Sequence, residues 1–561
     1  MYINRVTLKN FKAFCNETSF DFSIPNGQLG SGLNLFVGGN NTGKSTLIEA
    51  IDFLRNGLPK GVEIEELKNK ASKENLYVEI IFSGEVFNTI RQFAQGNKQS
   101  VLEKAVYIEN NKEYFRIRRD SKDAKPLLLW KPDEKKFINE SGIDAPIKKL
   151  FELDYIWADT SPEKITSFGS TTICGKLISE ITQTFKDDPL YRTFLEAHDK
   201  AFNDEQSGLK GKLSAISTKT ENVFKEQFGD AKITFHFTAP DSSNFLKNTR
   251  IEVNDGVSTF LEEKGDGMQR AIALALLQVY GDELSKTAKN GTPKPFYLFI
   301  DEPEICLHPQ AQKRLLKALK EIAKNQQIFI ATHSSYFCDP DLIANIKKFK
   351  KLENQTIERY YLKDSNLQGD LKENRNFFFR HRDLFFTDKA IFLEGVEDYE
   401  RYAKFCYDNG LQELIEHFFI MNGCDPVFFF EKFCQEFGIN FFSVVDKDFS
   451  TNRSIWSRNN RKNFLKDIKE FIEKNNVNCN WADLEKKMEK ELLETPRQDS
   501  RKTVELKKDG IIFNKVKDKN IFVLKHGEVK DYLDKNGGVI ESDDSKKKEL
   551  FIIFSEIKKQ L

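Results

Sequence analysis

Long apolar runs are missing from this chain: nowhere in its 561 residues do about 18 apolar side chains follow one another, so no membrane-spanning helix and no membrane partner is expected. Prolines number only 15, and there is no internal repeat and no long low-complexity tract, which leaves the composition of an ordinary soluble protein, 39% hydrophobic and 31% charged. The eight cysteines are scattered and form no CxxC pair, which argues against a disulfide framework and a zinc site and points to reduced thiols in the cytoplasm. The start MYINRVTLKN puts no apolar run behind a basic residue, so no signal peptide is expected. An excess of one charge is missing too, with 86 basic and 86 acidic side chains. A DNA-coating protein is usually basic. Basic residues can still cluster on one face, so composition does not decide and motifs must.

The length suggests roughly three or four folding units. Tyr2 to Leu8 and Leu33 to Val37 alternate as strands do, and Ser45 to Ile51 has helical spacing. More strand-like segments follow in 76–130, and a polar helical stretch covers about 176–228. Strand alternation returns from Ile233 to Val253, followed by a helix near 267–280, a strand at 296–300, a helix at 309–324 and a strand at 327–331. The expected division is an ATPase domain in two parts, 1–154 and 231–350, with a helical insertion at 155–230, a connector at 351–384 and a second α/β unit at 385–561.

Gly38-Gly39-Asn40-Asn41-Thr42-Gly43-Lys44-Ser45 fits G-x-x-x-x-G-K-[ST] between a strand and a helix. Glycines let backbone N–H groups close around phosphates, and the helix N-terminus adds a favourable dipole. Gly38, Asn40, Asn41, Gly43, Lys44, Ser45 and Thr46 are therefore candidate ATP-binding residues, with Lys44 reaching the β and γ phosphates and Ser45 ligating Mg²⁺. Phe296-Tyr297-Leu298-Phe299-Ile300-Asp301-Glu302 reads as a buried strand that delivers two carboxylates at its end. Asp301 suits the Mg²⁺ shell and Glu302 could polarise an attacking water. Gly265, Gly267 and Gln269, in Gly265-Asp266-Gly267-Met268-Gln269-Arg270, open an apolar helix and form a second candidate phosphate site. His333 directly follows a strand, where it could contact a γ-phosphate.

The order P-loop, G-D-G-M-Q-R, I-D-E-P-E-x-x-L-H-P and A-T-H-S resembles the ABC-type ATPases of the RecF, SMC and OLD group, and the opening Ile3 to Lys12 is similar to theirs. The resemblance implies a head domain that forms a homodimer or higher oligomer, in which Gly265 and Gly267 complete the ATP site of another copy. Glu262-Glu263-Lys264 departs from the usual signature, which puts efficient hydrolysis in doubt but not nucleotide binding. The insertion at 155–230 fits either a small dimerisation arm or a plain helical subdomain.

In the second unit, Ile391-Phe392-Leu393-Glu394 is an apolar strand that ends in an acid, and Gly395 turns the chain towards Asp398. Phe442-Ser443-Val444-Val445-Asp446-Lys447-Asp448 repeats the design with D-x-D, whose two acids share a face. Hard oxygen ligands on strand ends suit Mg²⁺ or Mn²⁺. In this order the pieces resemble a TOPRIM domain, and with the ATPase in front the chain is similar to OLD-family nucleases, including the Gabija and retron-associated relatives of phage defence. The resemblance implies Glu394, Asp446 and Asp448 as catalytic acids and Glu394, Asp398, Asp446, Asp448, Glu528 and Asp531 as candidate metal ligands for two ions. In the late motif, His526-Gly527-Glu528-Val529-Lys530-Asp531, Lys530 replaces the usual acid, and Lys525 or Lys530 could neutralise a transition-state phosphate. Arg453, Trp456, Arg458, Arg461, Lys462 and Lys466 form either a DNA-tracking run or a solvated helix. The expected partner is DNA, joined in the family by an operon-encoded protein or a retron nucleic acid. Two other readings compete: a non-cleaving, ATP-gated repair scaffold like RecF, and a topoisomerase or primase using the same acids, of which a topoisomerase would need a nucleophilic tyrosine in a DNA-gate domain that the chain has no room for.

Overall fold

A computed structural model describes the chain except for residues 95, 97, 122–125, 157–174, 176–187, 203, 205–206, 229–231, 234–249, 287–293, 353–356, 364–366, 368–370, 372–373, 425, 447–448, 450–519, 525–526, 536–537, 539–543 and 561. All six residues of the strand Leu33–Gly38 are buried, as are all those of Phe296–Asp301 and Gln327–Ala331. Runs of this kind belong in a sheet covered on both faces. They form the middle of a six-stranded sheet in the order Ile357–Tyr360, Ile346–Lys351, Leu33–Gly38, Gln327–Ala331, Phe296–Asp301, Glu152–Ile156. Every neighbouring pair is parallel except the first, which is antiparallel. Parallel pairing brings the ends of the P-loop strand and the Asp301 strand to one edge, with the strand leading to His333 between them.

Alternation assigns the two faces of this sheet. Phe36, Tyr297, Phe299 and Phe329 face a core shared with the helix Lys44–Asn56 and a second, antiparallel sheet. Within that core the Phe299 and Phe329 rings stack with centroids 4.5 Å apart. The antiparallel sheet runs in the order Thr18–Asp21, Tyr2–Lys9, Tyr77–Ser83, Lys112–Asp120, Leu128–Lys131, Lys136–Asn139, and Tyr107–Glu109 also pairs with Lys112–Asp120. The other face of the parallel sheet, Leu33, Leu35, Val37, Leu298, Ile300, Ile328 and Ile330, packs on the helix Pro309–Ile322. The described part of the segment 155–230 holds two helices, Pro189–Phe202 and Gly208–Phe228.

The C-terminal unit is a four-stranded, all-parallel sheet in the order Phe418–Ile420, Lys389–Leu393, Asn440–Val445, Ile521–Val523. Ile391, Leu393, Phe442 and Val444 face Tyr402 and Phe405 on the helix Val396–Asp408 and Phe554 and Ile557 on the helix Asp544–Gln560. Ala390, Phe392, Phe441 and Val445 face Phe430 and Phe433 on the helix Val427–Glu436, and this core is continuous with the Leu33–Leu298 face of the first sheet. Residues 351–384, expected as a connector, also contribute to the fold where they are described. Ile357–Tyr360 extends the first sheet, and Phe377 and Phe378 are buried between the two units. Burial of those rings outweighs the polar appearance of the segment. Among the described residues no helix is long and apolar enough to cross a membrane.

Candidate functional site: a phosphate loop and a pair of acidic strand ends

The loop between Leu33–Gly38 and Lys44–Asn56 needs its glycines for two reasons. Gly38 and Gly43 have φ of 141° and 89°, values that L side chains rarely adopt. A Cβ on Gly38 would also collide with the Phe349 carbonyl oxygen, and one on Gly43 would stand 2.9 Å from the Phe14 ring. Asn41 takes the left-handed conformation as well, at φ 58°, and Gly39, Asn40 and Asn41 are exposed at the loop tip. Lys44 is buried and donates to the carbonyls of Gly39 at 2.8 Å and Gly38 at 3.2 Å. Burial pushes its ammonium down to about 8, against the pull of Asp301, Glu302 and Glu304. Ser45 and Thr46 are half-buried in the first turn of the helix.

The Ser45 hydroxyl donates to Asp301 Oδ2 at 2.9 Å, joining the two candidate Mg²⁺ ligands across 256 residues of sequence. Asp301 Oδ1 is buried and finds no hydrogen-bond partner among the described residues, and burial raises the acid above its ordinary range. An unpartnered carboxylate oxygen beside a hydroxyl is a donor set that fits a hard cation. Glu302 follows in the left-handed region at φ 49°, held by its N–H to Ala331 O at 2.8 Å. Its carboxylate lies 3.7 Å from His333 Nε2, and burial together with nearby Lys44 lowers the imidazole towards its neutral form.

Glu304 was not singled out in the sequence. One carboxylate oxygen accepts the Thr332 hydroxyl at 2.8 Å and the other accepts the His333 N–H at 2.6 Å, so Glu304 clasps the loop that carries the histidine. The available signal was a third acid in D-E-P-E upstream of T-H-S. Gln269, a candidate nucleotide ligand, is buried and donates to Lys264 O at 2.7 Å and Glu262 O at 3.4 Å, so it shapes its own loop. Gly265 and Gly267 stand at the start of the helix Asp266–Lys286; Gly265 has open space where a Cβ would project, and Gly267 lies against the Cys306 carbonyl.

At the second site, Lys389–Leu393 and Asn440–Val445 are parallel neighbours with Leu393 opposite Val444. That register sets Glu394 and Asp446 side by side at the carboxyl edge. The Asp446 N–H donates to Glu394 Oε1 at 2.7 Å, and Asp446 Oδ1 accepts the Val529 N–H at 3.1 Å. Asp398 is buried, accepts the Gly395 N–H at 3.0 Å as a helix cap, and is pushed up to about 6, chiefly by burial. Asp531 accepts the Glu528 N–H at 2.9 Å in another cap, while Lys530 pairs with Glu528 at 2.6 Å. Asp448, Lys525 and the run from Arg453 to Lys466 lie outside the described residues. The described acids supply the oxygen donors that Mg²⁺ or Mn²⁺ prefers. Among the described residues, however, no group of three or more His, Cys, Asp or Glu side chains is gathered to hold a metal ion.

Comparison with known proteins follows the same lines. The chain is 27% identical over 374 residues to the Old nuclease of Escherichia phage P2, a match covering 63% of this chain and 60% of that protein's length. It is 22% identical over 504 residues to the endonuclease GajA of Bacillus cereus, covering 73% of this chain and 71% of the relative. A solved Smc head domain with an extended coiled coil, from Pyrococcus furiosus, is 18% identical, covers 67% of this chain and 99% of that one, and superposes with a TM-score of 0.38. The resemblance to OLD-family nucleases read from the motifs is therefore also a resemblance over most of the sequence. The AAA ATPase domain family matches residues 1–338, from the first strand through the P-loop and Asp301 to the His333 loop, and the chain belongs to that family.

Proposed function

We propose that this chain is an ATP-binding, divalent-metal-dependent DNA endonuclease or nickase of the OLD type, whose ATPase domain regulates phosphodiester hydrolysis at a TOPRIM-like C-terminal site, and that it serves in defence against phage. The observation that carries this is the junction of Glu394 with Asp446 at neighbouring strand ends, in a chain that begins with a P-loop ATPase domain. In the first site Lys44 would hold the phosphates and Ser45 with Asp301 the accompanying Mg²⁺. Glu302 would orient a water, with His333 beside it 3.7 Å away. Gly265 and Gly267 would complete the site of a second copy. In the second site Glu394 and Asp446, with Asp448, would hold the catalytic cations, and Lys525 or Lys530 would face the scissile phosphate. When bound there, such cations activate water and stabilise the leaving oxygen.

A second reading has its own support. Lys530 pairs with Glu528, and Asp398 and Asp531 are engaged as helix caps. A chain with too few free acids would bind DNA under ATP control without cutting it, as a repair scaffold. Supercoiled plasmid with Mg²⁺ or Mn²⁺, with and without ATP, separates the two when Asp446→Ala runs alongside. Nicked or linear DNA lost in the variant supports the nuclease and gives the sign of the ATP effect. Retarded but intact DNA supports the scaffold, and relaxed ligated circles would point to a topoisomerase instead.

A further inference from the structure

The strand Ile346–Lys351 touches the phosphate-loop strand on one side and the C-terminal unit on the other. It pairs with the P-loop strand, Phe349 opposite Gly38, and the Phe349 carbonyl fills the space a Cβ on Gly38 would need. The Phe349 ring packs on Phe14, Phe20 and Phe36 behind the phosphate loop. Alternation sends Lys348 and Lys350 to the opposite face, towards the C-terminal unit. Lys348 is buried; its ammonium donates to the Thr387 carbonyl and lies 3.3 Å from the Asp388 carboxylate. Lys350 donates to the Gly438 carbonyl at 3.1 Å and lies 3.6 Å from Asp388.

Asp388 and Gly438 are where the two acid-bearing strands begin. Lys389–Leu393 follows the first and Asn440–Val445 the second, and the Asn440 N–H donates to Asp388 O at 2.8 Å. The lysines therefore grip the amino ends of the strands whose carboxyl ends carry Glu394 and Asp446. An apolar side chain at 348 would join the units without the desolvation cost of a buried ammonium, so a cation there needs a reason beyond adhesion.

We infer that Lys348 and Lys350 are positioning residues that convey the state of the phosphate loop to the Glu394–Asp446 pair, the nucleotide acting on Gly38 and Phe349 and the lysines displacing the start of both acid strands. A strand of five residues at ~3.3 Å each spans roughly 17 Å and moves as a hydrogen-bonded unit with its neighbour. This rests on the ATPase–nuclease proposal for the meaning of the acid pair, while the coupling itself can be read without any cleavage.

The test is hydrogen–deuterium exchange of the full chain with and without Mg-ATP, following peptides that cover 388–394 and 440–446. In the wild type ATP should change their exchange by about fivefold or more, the lower end of ordinary coupling energies. Lys348→Met and Asp388→Asn should lose that response while still binding a fluorescent ATP analogue, and Lys348→Arg should recover part of it. Asp388 is half exposed, so its variant tests the contact even where the buried substitution unfolds the chain. Lys347→Met is the control, because Lys347 lies 3.3 Å from Asn34 on the other face; it should keep the response. Wild-type peptides indifferent to bound ATP, or an undiminished response in both Lys348→Met and Asp388→Asn, would overturn the inference. Responsive peptides with uncut plasmid would instead remove the nuclease proposal and leave the coupling in place.

Discussion

Asp398→Asn separates charge from hydrogen bonding at the C-terminal site. The wild-type carboxyl is 8% exposed, caps its helix through the Gly395 N–H at 3.0 Å, and is pushed from its ordinary 3.8 to about 6, first by burial and then by neighbouring Glu397 against the pull of Arg401. Each tenfold change in proton affinity is about 1.4 kcal/mol, so the ionised folded form carries a cost of roughly 3 kcal/mol relative to the unfolded chain. The folded state holds the proton more tightly, so this group favours folding most below pH 3.8. That contribution is lost as pH rises towards 6, and the full cost is present at neutral pH. Asparagine keeps an oxygen for the Gly395 N–H and carries no charge. Its expected effect in calorimetry at pH 7.5, without divalent cation, is a rise in the melting point of the C-terminal unit of several degrees, at about 2–4 °C per kcal/mol for a unit of that size. At pH 5, between the unfolded and folded values, about half of the gain should remain, and below pH 3.8 nearly all of it should vanish. Equal destabilisation at both pH values would refute the reasoning, because Asp398 would then be an ionised cap. A weakened Mg²⁺-induced stabilisation in the variant would add Asp398 to the metal ligands.

Three other substitutions test the remaining links. Lys44→Ala removes a buried cation from the loop carbonyls; titration calorimetry should find ATP binding weaker by about 10–100-fold, since hydrogen bonds to charged groups are worth about 1.5–3 kcal/mol, while the nucleotide-free melting point does not fall. Gly38→Ala sets a methyl against the Phe349 carbonyl at a φ of 141° and should destabilise the ATPase domain by about 2 kcal/mol or more in denaturant melts. Phe378→Ala empties a fully buried position 4.7 Å from the Phe433 ring, and a loss of about 3–5 kcal/mol is expected; an unchanged melt would show that 351–384 is a linker after all.

Some of this protein is legible residue by residue. The P-loop is a contiguous string in which glycine, lysine and serine act within one turn, and the strands before Asp301, Glu394 and Asp446 are largely apolar segments that end in acids. Backbone conformation and burial at these places follow from neighbours a few positions away, so pattern suffices. Other assignments needed the fold. Glu304 meets His333 only because the helix Pro309–Ile322 returns the chain to an adjacent parallel strand. Asp398 and Asp531, candidate metal ligands in sequence, each also bond their own helix terminus, a contact that local backbone geometry makes and composition does not reveal. The charged stretch after Lys351 hides an edge strand and two core phenylalanines, because the surface that buries them belongs to helices and strands far along the chain. By itself, then, the sequence determined the P-loop and the strands that end in Asp301, Glu394 and Asp446, since these depend on local pattern, while the alternation read at Ile233–Val253 lies mostly outside the described residues. Which acids meet, and that Lys348 and Lys350 join the two units, was decided by tertiary structure, because strand order and register set distances between residues that local pattern cannot relate.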